Sequence, residues 1–81
     1  MRIEVKLFAG ARAAHGADTL QLELPAGATI ADLRAAIAND HPQLAPLLTR
    51  ALFALNTDYA TDDTVIPAGA ELACIPPVSG G

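Results

Sequence analysis

The stretch TIADLRAAIANDHP, residues 29–42, departs from the two-residue period that runs through the segments around it. Its apolar side chains recur every three to four residues. Ile30, Leu33 and Ile37 form one helical stripe, and the alanines between them add helix propensity. Thr29 is placed to cap the first free amides, and Asp32 to reach back to the cap, a variant of the capping box. Pro42 disfavours helical backbone in the residue before it, so the helix ends at or before His41.

On either side the pattern is that of strands. RIEVKLF (2–8) puts Ile3, Val5 and Leu7 on one face and Arg2, Glu4 and Lys6 on the other, which predicts a half-buried strand. TLQLEL (19–24) alternates through Leu20, Leu22 and Leu24 until Pro25 and Gly27 stop it. Two neighbouring strands this short pair most easily antiparallel. The segment between them, AGARAAHGAD (9–18), reads as a turn with one short helical turn, because Gly10 and Gly16 punctuate it. After the helix, QLAPLLTR (43–50) is broken by Pro46 and predicts an irregular or short 3₁₀ connection. ALFALN (51–56) is apolar enough for a buried strand. TDYATDD (57–63) is loop with a short edge strand, and Asp62 and Asp63 there read as solvated. PAGAE (67–71) is a turn, and ELACIP (71–76) alternates as a last strand. The order strand, strand, helix, strand, strand gives an α+β roll: one mixed sheet with one main helix on one face.

Composition removes several classes of function. The chain has 81 residues, 52% of them hydrophobic, which is one small domain and too apolar for a disordered one. Nine acidic against five basic side chains give a net charge of −4, without the clustered Lys and Arg that phosphate binding draws on. No nucleic-acid role is expected. Nor is a membrane role, since no run approaches the roughly 18 apolar residues of a span. Arg2, Glu4 and Lys6 interrupt any signal-like start, so cytoplasmic residence is the expectation. Cys74 is the single cysteine, and His15 and His41 lie far apart in sequence, so no metal site is expected. There is no nucleophile elbow, P-loop or dinucleotide fingerprint. A chain this short has little room for a substrate pocket, so any chemistry belongs inside a partner's pocket.

The end of the sequence is its most specific part. LFAGAR (7–12) after the opening strand, ALN (54–56) late in the chain and PPVSGG (76–81) at its end resemble the ubiquitin-like sulfur-carrier family, nearest to its molybdopterin synthase small subunits. The resemblance implies a β-grasp fold over residues 1–75, with first and last strands adjacent and parallel, and a flexible tail over 76–81. It implies a glycine carboxylate that an adenylating, ubiquitin-activating-like enzyme activates with ATP and that becomes a thiocarboxylate. A sulfurtransferase loads the sulfur. The large synthase subunit then receives the tail, in an assembly expected to be a heterotetramer, and the sulfur passes to cyclic pyranopterin monophosphate. By motif, Gly80 and Gly81 match the reactive end, and Phe8 and Arg12 match the family's FA..R stretch. Ala13 and Ala70 depart from it, where an acidic residue is often found.

The residues agree with such a task. A terminal carboxylate, with a pKa of roughly 3.3–3.7, is an anion at neutral pH and a poor electrophile until adenylation supplies a leaving group. Pro76 and Pro77 favour extended backbone and lower the entropy lost on insertion. Val78 and Ser79 complete the spacer, and the glycines carry no Cβ into a narrow channel. Phe8, Tyr59 and Ile75 are candidates for an apolar docking patch at the tail's root, with core packing as the competing reading. Arg12 either meets an acidic group of a partner or is solvated. Cys74 shares a strand face with Leu72 and reads as core, not as a sulfur carrier. No cofactor is expected to reside on the chain, which is not catalytic alone. The rival readings are a sulfur carrier for thiamine or cysteine synthesis, a protein modifier acting through Gly81, and an inert docking module.

Overall fold

The computed structural model describes residues 1–77. Val78, Ser79, Gly80 and Gly81, and with them most of the expected tail, lie outside the described residues. Five strands form one sheet: β1 (Arg2–Leu7), β2 (Thr19–Glu23), β3 (Leu52–Leu55), β4 (Asp58–Ala60) and β5 (Leu72–Ile75). Their spatial order is β2-β1-β5-β3-β4. The first and last strands are neighbours and parallel, with Val5 beside Leu72 and Leu7 beside Cys74, and the other pairings are antiparallel. This is the β-grasp arrangement.

The main helix, α2 (Ile30–Asp40), forms for the reasons its sequence suggests. The Thr29 hydroxyl accepts from the Asp32 amide at 3.3 Å, and the Asp32 carboxylate accepts from the Thr29 amide at 2.9 Å. That closes both halves of the capping box. Ile30, Leu33 and Ile37 are fully buried against the sheet, and His41 caps the C-terminal end just before Pro42. A 3₁₀ turn at Pro42–Leu44 and the short α3 (Ala45–Leu48) follow, as Pro42 and Pro46 suggest.

Two local expectations are corrected. The segment after β1 is not a turn with one helical turn but the seven-residue helix α1 (Ala9–His15). Gly16 closes it in the left-handed region at φ 86°, and its amide donates to the Arg12 carbonyl at 2.9 Å, a conformation that glycine adopts without steric cost. Buried Ala11 supplies the packing that propensity alone does not. The apolar run of β3 is not buried throughout either. Phe53 is completely buried, whereas Leu52 points to the other face and is 53% exposed.

The inner sheet face and the helices enclose Val5, Ile30, Leu33, Ile37, Leu44, Phe53 and Cys74 as the tightest part of the core. Arg34 of α2 ties three segments together. Its guanidinium donates to the carbonyls of Leu48 and of Ala51 (2.8 Å), pairs with Asp62 at 2.8 Å and lies 5.1 Å from the Phe53 ring centre. Asp62 is therefore an anchor and not a merely solvated loop residue. Its carbonyl also accepts the Ala31 amide at 2.9 Å. Asp63 meets only the Thr61 hydroxyl nearby.

Candidate functional site

The outer sheet face, turned away from the helices, carries the candidate docking residues where β5 ends. Leu72 and Cys74 point inward, so Ala73 and Ile75 point outward, as alternation requires. Leu52 lies directly across from Ile75 on β3. Phe8 follows Leu7, the partner of Cys74, and its amide donates to the Cys74 carbonyl at 3.3 Å. This continues the strand by one rung, and Phe8 is 46% exposed. One row further in, Ala73, Ala54 and Tyr59 pair across β5, β3 and β4, with Tyr59 70% exposed. Leu52 and Ile75 are thus paired on the outer face, Tyr59 stands on the same face across β3 and β4, and Phe8 follows the end of β1.

Of the expected residues, the fold brings Phe8, Tyr59 and Ile75 onto one face. Leu52 was missed, because four apolar residues in a row do not reveal which of them faces out. Arg12 stands on α1 and reaches Asp18 at 3.7 Å, with both side chains largely in solvent. Pro77 is exposed, but Pro76 is buried. The domain therefore extends past Ile75, and Pro76, expected as a contact in the tail, packs within the fold. Val78, Ser79, Gly80 and Gly81 lie outside the described residues.

Cys74 is 1% exposed on the inner face. Burial pushes its thiol up to about 11, against a smaller opposing pull from the positive charge of Arg34. At neutral pH it is a protonated thiol without access to solvent, and the nucleophilic form is the thiolate. The two histidines, distant in sequence, meet: the His15 and His41 rings stand edge to face with centres 4.9 Å apart. They join the end of α1 to the end of α2. Among the described residues, no group of three His, Cys, Asp or Glu side chains gathers to hold a metal ion. No helix among them is long and apolar enough to cross a membrane.

With this geometry in view, the likeness to known proteins is informative. A molybdopterin synthase sulfur carrier subunit from Chlamydomonas reinhardtii is 40% identical, the match covering all of both chains. Its counterpart from Arabidopsis thaliana is 37% identical over all of this chain and 84% of its own length. Among solved structures, SAMP1 of Haloferax volcanii, a small archaeal modifier protein, superposes with a TM-score of 0.85 at 30% identity, covering all of both chains. The model of the ThiS family matches residues 5–81, from the middle of β1 through the final glycine. A sheet with adjacent parallel first and last strands, an apolar surface where the last strand ends, and a match running through both glycines agree with one another, and the chain belongs to the ThiS family.

Proposed function

We propose that this chain is the sulfur-carrier subunit of a molybdopterin synthase and that it works through Gly81. The observation that carries the reading is the placement of the apolar residues Phe8, Leu52 and Ile75 around the point where the chain leaves the sheet after Ile75. Full-length relatives with that name support it. A protein that delivers its end into a partner's pocket needs its grip next to the exit of the tail, so that docking and insertion occur together.

In this reading the Gly81 carboxylate attacks the α-phosphate of ATP on an adenylating enzyme, releasing pyrophosphate. A hydrosulfide equivalent delivered by a sulfurtransferase then attacks the acyl carbon, displaces AMP and leaves a thiocarboxylate. The large synthase subunit takes up the tail and directs the sulfur to cyclic pyranopterin monophosphate. The chain holds no cofactor of its own, and the ATP is consumed by the activating enzyme, in the cytoplasm. Because Pro76 is buried, the delivering segment is Pro77 to Gly81, five residues with a reach of at most about 17 Å. Gly80 and Gly81 pass a channel that a Cβ would block.

The test compares intact protein, a protein extended beyond Gly81 and one lacking Gly81. Pterin sulfuration, large-subunit binding and melting are measured for each. Extension turns the carboxylate into an amide and abolishes loading. Deletion moves the carboxylate back by about 3.5 Å, and misplacement by 1 Å already costs about a hundredfold in rate. Melting stays the same in all three. An extended, untrimmed protein that sulfurates at the intact rate would refute the proposal. The likeness to an archaeal modifier favours a second reading, conjugation through Gly81. Adducts to other proteins, in place of an oxygen-to-sulfur exchange in the intact mass, distinguish it.

A further inference from the structure

Ala9 occupies a backbone conformation that an L-residue pays for. Its φ is 49°, in the left-handed region, where the Cβ crowds the neighbouring carbonyl. The residue beside it is a glycine, yet Gly10 is not among the residues of positive φ. A Cβ added at Gly10 would meet only the Leu47 methyl carbons, at 3.8 Å, an ordinary contact. The Ala-Gly order is therefore the reverse of what relief of strain alone would select. The corner that favours glycine carries alanine, and the glycine sits where alanine fits.

The consequence falls on Phe8. Its amide closes the last rung against the Cys74 carbonyl at 3.3 Å. Its carbonyl accepts the Ala11 and Arg12 amides, at 3.1 and 3.4 Å, and so opens α1. The chain changes from strand to helix between these bonds, at Ala9, while Phe8 remains 46% exposed. A glycine there could reach the same geometry from a broad set of conformations, whereas an alanine has only a narrow left-handed well. We infer that Ala9 is a positioning residue, whose strained backbone holds the exposed Phe8 ring in the orientation a docking partner meets. The inference rests on the docking face proposed above and adds a residue that need not touch the partner.

The experiment uses the full 81-residue chain, made by chemical synthesis, and the large synthase subunit as probe. Four forms are compared: the natural chain, Ala9→Gly, D-alanine at position 9, and Phe8→Asp. D-alanine is the conservative variant, since it keeps the methyl group and prefers positive φ. Ala9→Gly weakens binding about three- to tenfold, the range expected when one side chain must be ordered on association. Its melting temperature is not lowered, because strain is relieved as chain entropy is added. D-alanine restores binding and raises the melting temperature. A merely structural role would move binding only together with melting. If Phe8→Asp abolishes binding while Ala9→Gly binds as the natural chain does, or if D-alanine fails to restore binding, the positioning role is refuted and the docking face stands. If Phe8→Asp itself binds normally, the docking face is wrong and the inference falls with it.

Discussion

Across β2 and β1 the outer face pairs Gln21 with Glu4 and Glu23 with Arg2, whereas across β3 and β5 it pairs Leu52 with Ile75 and Ala54 with Ala73. The first half satisfies itself. Arg2 donates to Gln21 at 3.2 Å, Gln21 donates to Glu4 at 3.1 Å, and Arg2 lies 3.5 Å from Glu23. The second half leaves Phe8, Leu52 and Tyr59 exposed by 46, 53 and 70%. One sheet thus carries a surface that needs only solvent and a surface suited to a partner. Lys6, paired with Thr19 on one side and Ala73 on the other, marks the border between them.

The strongest challenge to this contrast is to place charge on the apolar half. Phe8→Asp or Leu52→Asp should each weaken large-subunit binding by about 2–4 kcal/mol, as central anchors do, with melting almost unchanged. Calorimetric titration alongside thermal melting checks both. Unfolding of Phe8→Asp would assign Phe8 to the core instead.

A smaller effect probes the buried side of the same strand. The Cys74 thiol ionises at about 11 when folded, against an ordinary 9.0. Its neutral form is thus favoured by folding. That contribution is complete below pH 9 and is lost as pH rises through about 11, a total of about 2–3 kcal/mol. Urea melts of the natural chain and Cys74→Ala between pH 8 and about 11.5 should therefore converge as pH rises. Cys74→Ala should also load sulfur normally. Loss of loading in a folded variant would return the thiol to the chemistry.

The turn joining β3 to β4 offers a gain. Asn56 and Thr57 have φ of 50° and 78°. Asn56 suits this backbone, and its side chain accepts the Glu71 amide at 2.9 Å. Thr57, being β-branched, does not. Thr57→Gly should stabilise by about 1 kcal/mol, read as a higher melting temperature. Least affected should be the polar half: Gln21→Ala should cost no more than about 1 kcal/mol and leave large-subunit binding unchanged. A binding defect there would show that the partner spans both halves.

Much of this was legible in the residues because it depends on near neighbours. The alternation of β1 and β2, the Thr29–Asp32 box and the stop at Pro42 each act within a few positions. So does the outward direction of Ile75, which follows once Leu72 and Cys74 are inward. The chemistry proposed for Gly81 rests on the sequence alone, since Gly81 lies outside the described residues.

Tertiary structure decided what distance along the chain conceals. Arg34 meets Asp62 twenty-eight positions away, which turned a loop aspartate into an anchor. His15 meets His41 only because α1 and α2 end side by side. Leu52 joined Ile75 on the outer face through their pairing, and Pro76 became part of the domain by burial. Periodicity specifies which side chains share a face of one element. Which faces meet, and which are left in water, depends on how the strands are ordered, and that is settled only when the core closes.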